Sequence, residues 1–139
     1  MNHYFAYGSN LWQPRLEERV GGVTVATVGS IVGFDLRFHK VGRDGTGKAD
    51  AFHTGSPGHR VWGVAYLLTD EQLGALDEIE GDGYRRDTVT VEAADRTLDA
   101  TTYLARSIDP TLPVEAWYRR FVLDGARSHG LPPTYLETL

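Results

Sequence analysis

Seven short runs of β-branched and aromatic residues, each closed by turn formers, constrain this chain more than any other feature. They are Asn2–Ala6, Val23–Val28, Ile31–Phe38, Ala49–His53, Val61–Leu67, Tyr84–Val91 and Leu98–Leu104, and their composition and alternation are those of strands. Three helical patterns are set among them. Leu11–Arg19 carries Pro14 in its first turn, where a missing N–H costs little. Thr69-Asp70-Glu71-Gln72 reads as a capping box that opens a helix with Leu73, Leu76 and Ile79 on one face, stopped at Gly81-Asp82-Gly83. Pro113 opens the third, apolar at Val114, Trp117 and Phe121 and ended by Gly130. Val41–Lys48 reads as a Gly-rich loop and Leu131–Leu139 as a tail. Five to seven strands with two or three interspersed helices predict an α+β fold built on a small mixed β-barrel. With 139 residues and no linker-like stretch, the expectation is one domain over residues 1–139.

Charge and composition then remove whole classes of function. Lys+Arg is 14 against Asp+Glu 19, a net charge of -5, which weighs against a nucleic-acid partner, because phosphate binding needs a basic surface. Without cysteine there is no disulfide, thiolate nucleophile or Cys-based zinc site. His3, His39, His53, His59 and His129 show no tight ligand spacing, so no metal is expected. Nothing approaches the roughly 18 apolar residues of a membrane span, and Met1–Ser9 lacks the pattern of a signal peptide. The reading is a soluble, cytoplasmic protein.

Gly42-Arg43-Asp44-Gly45-Thr46-Gly47-Lys48 fits the spacing of a phosphate loop, but Ala49 stands where the Ser or Thr for Mg²⁺ belongs, and a strand follows. A hairpin or surface loop accounts for its glycines better. Neither Ser9 nor Ser56 lies in a Gly-x-Ser-x-Gly elbow.

Two segments bear more directly on chemistry. Tyr7-Gly8-Ser9-Asn10 stands where a strand ends and a helix begins, so successive N–H groups there can converge on a carboxylate or an oxyanion. Its plainer reading is a strand-to-helix turn with Ser9 or Asn10 as N-cap. Downstream, Asp77, Glu78, Glu80 and Asp82 crowd a helix C-terminus, where local rules ask for Lys or Arg. Negative neighbours and the helix end would raise a carboxylate's pKa toward a value useful for proton transfer. The plainer alternative is a solvated acidic turn neutralised by Arg85 and Arg86.

Four blocks in order resemble the gamma-glutamylcyclotransferase family: Tyr4–Leu11, Val61-Trp62-Gly63-Val64, Leu76–Gly81 followed by Tyr84, and Gly125–Pro132. The resemblance implies a small mixed β-barrel with a pocket at one end, and an enzyme needing no metal or cofactor. In that reaction a γ-glutamyl substrate attacks itself, releasing 5-oxoproline and an amine or amino acid. The family's catalytic glutamate falls on Glu80, as general base and then general acid. Tyr7, Gly8, Ser9 and Asn10 would hold the glutamyl part. Tyr84 and Tyr118 match tyrosines near the pocket, whether as substrate contacts or as packing, with Tyr4 and Tyr103 behind them. Ile79 is expected to face the core, which puts Glu78 and Glu80 on different sides of the helix, so that one alone faces the pocket.

Two other readings share the fold: removal of a γ-glutamyl group from a biosynthetic intermediate, and a non-catalytic binding module. The residues 38–61 follow the family loosely, and such loops set leaving-group specificity. A homodimer is compatible with Trp117 and Phe121 but not required by them.

Overall fold

The computed structural model describes residues 1–139. Seven strands form: β1 Asn2–Ala6, β2 Thr24–Val32, β3 Phe34–Val41, β4 Gly47–His53, β5 Arg60–Leu68, β6 Tyr84–Ala93 and β7 Thr97–Ala105. Five of them close a barrel in the order β1-β5-β2-β6-β7, while β3 and β4 make a separate two-stranded hairpin. All barrel neighbours run antiparallel except β1 and β7, whose parallel contact at Tyr4 and Thr101 closes the ring. The expected mixed α+β barrel is therefore the observed one.

The most apolar strand occupies the most enclosed place. β5 pairs with β1 on one side and β2 on the other, and Val61, Val64, Tyr66 and Leu68 are fully buried. It reads as a near-continuous apolar run because both of its faces are covered. Phe5, Ile31 and Val91 join it in the core.

Four helices surround the barrel: α1 Gln13–Val20, α2 Asp70–Glu80, α3 Ala116–Ser128 and α4 Pro133–Leu136. The capping box forms as expected: Gln72 N–H donates to Thr69 Oγ1 at 3.1 Å, and Thr69 N–H donates to Gln72 Oε1 at 3.0 Å. Leu73 and Leu76 fix α2 to the core. No helix is long and apolar enough to cross a membrane.

Several boundaries differ from the sequence reading. The run 31–38 is divided at Gly33, whose φ of +87° makes a turn between β2 and β3. Residues 41–48 are the end of β3, a tight turn and the start of β4, because Val41 pairs with Gly47 and Lys40 with Lys48. Pro113 precedes α3 rather than opening it, with Glu115 at the N-cap position. The tail contains α4, which adds Leu136 and Tyr135 to the rim of the core.

The hairpin is pinned over one end of the barrel by a buried pair. His39 Nε2 lies 2.7 Å from Asp50 Oδ2, and Asp50 Oδ1 accepts the Ala105 N–H at 2.9 Å. Both side chains are nearly inaccessible to solvent, so β3–β4 is locked to the end of β7. That lock places the hairpin turn opposite the C-terminus of α2.

Candidate active site

A cavity of about 270 Å³ opens among the Tyr7–Asn10 turn, α1, the end of α2 and the β3–β4 hairpin, with Tyr84 of β6, Tyr103 of β7 and Tyr118 of α3 also in its wall. It is just below the usual volume of sites for drug-sized ligands, which suits a compact substrate. Each residue singled out from the sequence, namely Glu80, Tyr7, Gly8, Ser9, Asn10, Tyr84 and Tyr118, lines it.

Glu80 is the last residue of α2, and its side chain is only 15% exposed. Asn10 Nδ2 donates to Glu80 Oε1 at 3.3 Å and to the Tyr4 hydroxyl at 3.0 Å. Arg19 stands 3.9 Å from the same carboxylate oxygen. Burial pushes the Glu80 carboxyl above its ordinary value, against Arg19, Lys40, Arg15 and the Asn10 hydrogen bond, which all pull it down. The direction matches the sequence expectation but the cause does not. Asp77 is tied to Arg86 and to the Tyr103 hydroxyl, and Glu78 faces solvent. The acidic turn is thus only partly neutralised by the following arginines: Arg86 takes Asp77, while Arg85 pairs with Asp87.

Ile79 also departs from expectation. It is 37% exposed and lines the cavity instead of the core. Glu78 and Glu80 nevertheless separate, because α2 is anchored through Leu73 and Leu76. Only Glu80 reaches the cavity.

Residues 9–11 form one 3₁₀ turn, followed directly by α1 with Pro14 at its start. Its first internal bond is Leu11 N–H to Gly8 C=O at 3.1 Å, so the amides of Ser9 and Asn10 precede the bonded part of the turn. Neither Ser9 nor Asn10 caps a helix; Trp12 holds the N-cap position of α1. The Ser9 hydroxyl instead accepts from Arg15 Nε at 3.1 Å. At Gly8 the fit is close: a Cβ there would stand 3.1 Å from Ala49 Cβ.

The three tyrosines are bonded to backbone. The Tyr118 hydroxyl accepts the Ala49 N–H at 2.9 Å, and the Tyr84 hydroxyl donates to the Ala49 carbonyl at 2.6 Å. Tyr7 donates its hydroxyl to the Tyr103 carbonyl. Burial raises the pKa of all three phenols, so they remain protonated donors near neutral pH. All three frame the cavity; Tyr84 and Tyr118 clamp β4 against it through Ala49, while Tyr7 is tied to β7.

Sequence reasoning did not assign the hairpin's cations to the site. Lys40, Arg43 and Lys48 all line the cavity. The glycine-rich 42–48 stretch was the available signal, but its meaning depends on where the hairpin folds, and that is fixed by the His39–Asp50 lock. No group of three or more His, Asp or Glu is gathered in a way that could hold a metal ion.

The AIG2-like family matches residues 60–139. Gamma-glutamylcyclotransferase of Homo sapiens is 32% identical over 148 residues, spanning 98% of this chain and 76% of that protein. The Bos taurus protein of the same name is 30% identical with the same coverage. Among solved structures, a gamma-glutamyl cyclotransferase superposes with a TM-score of 0.89 at 29% identity, over 99% of this chain and 85% of the other.

Proposed function

This chain belongs to the gamma-glutamylcyclotransferase family and is an enzyme of that type, and from that premise we propose that it cyclises a small γ-glutamyl compound to 5-oxoproline. The substrate supplies its own nucleophile. Its α-ammonium gives a proton to Glu80, and the freed amine attacks the γ-carbonyl to form the new C–N bond of the ring. Glu80 returns that proton to the departing nitrogen and takes the second one from the ring nitrogen. The old amide C–N bond then breaks, leaving 5-oxoproline and an amine or amino acid that collects the second proton from Glu80 and leaves as an ammonium. Holding the glutamyl chain folded removes an entropic barrier that can reach roughly 7–11 kcal/mol. What remains for the protein is proton transfer and charge stabilisation. In this reading residues 1–139 act as one domain, without a metal or cofactor and with a cytoplasmic location.

The observation that carries this reading is the burial of Glu80 beside the Tyr7–Asn10 turn, joined through Asn10. A base that takes a proton from an ammonium and returns it to an amine works best near the operating pH, and burial shifts Glu80 toward it. The Ser9 and Asn10 amides are the donors assigned to the oxyanion of the tetrahedral intermediate. Tyr7, Gly8, Tyr84 and Tyr118 are assigned to shaping the pocket around the glutamyl part. The test is mass-spectrometric detection of 5-oxoproline after incubation with γ-glutamyl amino acids, γ-glutamyl amines and glutathione. Absence of 5-oxoproline across that panel sinks the reading.

Glu80 also sets an expected pH dependence. The carboxylate is the active base, so kcat/KM rises with pH through the raised pKa, above the ordinary glutamate value of about 4.3. Arg19 holds that pKa down, so Arg19→Ala is expected to move the acidic limb to higher pH. A downward move, measured by pH–rate profiles of both proteins, contradicts the assignment.

A further inference from the structure

The hairpin side of the cavity carries positive charge that the cyclisation does not use. The chain's net charge is -5, yet this cavity gathers five Arg and Lys residues against two carboxylates, Glu80 and Asp44. Their pairings decide which charge is free. Arg19 faces Glu80 at 3.9 Å, and Lys48 bonds Asp44 at 3.2 Å. Arg15 is bound to the Ser9 hydroxyl, on the side of the turn that holds the glutamyl part. Arg15 is therefore the cation available to the glutamyl α-carboxylate, while Glu80 meets the α-ammonium.

Lys40 and Arg43 remain. Lys40 is only 6% exposed, and its ammonium has no hydrogen-bonding or ionic partner in the protein. It lies 4.5 Å from the centre of the Tyr84 ring, which compensates part of its lost hydration. The ammonium opens into the cavity without a protein hydrogen bond, so an anion entering there would gain a charge-assisted partner. Arg43 has no carboxylate partner either. Its guanidinium packs over Gly81, the residue after Glu80, while the Lys40 ammonium packs over Gly83. A Cβ on Gly83 would stand 2.6 Å from Lys40 Nζ, so the glycines of this turn admit the two cations beside the proton-transfer group.

Resting on the cyclisation reading, we propose that Lys40 and Arg43 are specificity-determining residues that bind two negative charges on the leaving part of the substrate. The substrate class is then a γ-glutamyl derivative of an acidic amine, of which an acidic amino acid is the simplest form. The γ-glutamyl part carries one positive and one negative charge and is met by Glu80 and Arg15. The leaving part must therefore supply the anions that face the hairpin. Ion pairing in a recessed, partly dry pocket outweighs the same contact made by a neutral amide.

The discriminating pair is γ-glutamyl-glutamate and γ-glutamyl-glutamine, which share shape and differ by one charge. The wild-type protein is expected to favour γ-glutamyl-glutamate by on the order of tenfold in kcat/KM. Lys40→Met should bring the ratio to within about twofold, and Lys40→Arg should keep it. Because both substrates are compared within each variant, any effect of Lys40 on Glu80 cancels. Calorimetric binding of both dipeptides to Glu80→Gln, with and without Lys40→Met, gives a second readout that needs no turnover. Equal wild-type kcat/KM values, or a ratio that survives Lys40→Met, overturn the assignment while leaving the cyclisation intact. Charge-selective binding that Lys40→Met abolishes, without 5-oxoproline from either dipeptide, upholds it and overturns the cyclisation instead. Neither selectivity nor product defeats both.

Discussion

Glu80→Gln is expected to lower turnover at least about a hundredfold while leaving the fold intact, the loss typical of a general acid–base residue. The amide keeps the size of the side chain and still accepts a hydrogen bond from Asn10 Nδ2, which stands 3.3 Å away. It cannot take a proton from the substrate's ammonium at neutral pH. Stability should not fall with it, because ionising a carboxyl whose folded pKa is raised opposes folding. The native state binds the extra proton between the ordinary and the raised pKa, so the ionised group lowers stability as pH rises through that window. Removing it takes that cost away. Ser9→Ala should cost less, since the Ser9 hydroxyl is engaged by Arg15 and the backbone amides are untouched. Steady-state kinetics with circular dichroism of both variants decides the matter. Equal losses in the two variants would point to a serine nucleophile, and full activity in Glu80→Gln would remove Glu80 from the mechanism.

How far this site could be read without coordinates depends on the range of the forces that build it. The capping box of α2 is local: Thr69 and Gln72 satisfy each other across three residues, and the helix begins where the pattern says. The barrel strands follow from short-range alternation and β-branched content, and β5 betrays its enclosure by having no polar face. The division at Gly33 and the two ends of the 41–48 loop are misjudged, because a strand boundary in a β-rich run depends on backbone geometry and pairing that short-range composition does not carry. The Glu80 environment is legible in its location but not in its cause. The burial that raises the Glu80 pKa comes from the folded cavity, whose Asn10 contact is 70 residues away along the chain. Ile79 fails as a core position because α2 ends over a cavity instead of over the barrel. The hairpin cations are the extreme case: Lys48 closes what reads as a Gly-rich loop and Lys40 stands just before it. Neither points to a site until the hairpin, tied through Asp50 to Ala105, sets both beside the cavity that holds Glu80.

Gly125→Ala is the second large effect, and it acts on the site from behind. Gly125 lies buried in α3, against the turn that follows Tyr7–Asn10. A Cβ there would stand 2.4 Å from both the Leu11 carbonyl carbon and the Trp12 nitrogen. These are backbone atoms, which cannot rotate aside as a side chain can, so α3 or the turn must shift. The same turn is held by His129 Nε2 at 2.9 Å from the Leu11 carbonyl and by the Tyr66 hydroxyl, which reaches the Leu11 carbonyl at 3.2 Å. A forced displacement strains those bonds along with the packing. Overpacking of this kind costs about 1–3 kcal/mol, occasionally more. Activity should fall further than stability suggests, because a displacement near 1 Å in a positioning element can cost on the order of a hundredfold in rate. Gly74→Ala is the matched control: Gly74 is exposed in α2 and a Cβ there meets nothing within 4 Å. That control should gain about 0.4–1 kcal/mol and keep its turnover. Urea denaturation and 5-oxoproline release measured on both variants separate the two. A Gly125→Ala protein as stable and as active as the wild type would mean that α3 does not set the position of the Ser9–Asn10 amides.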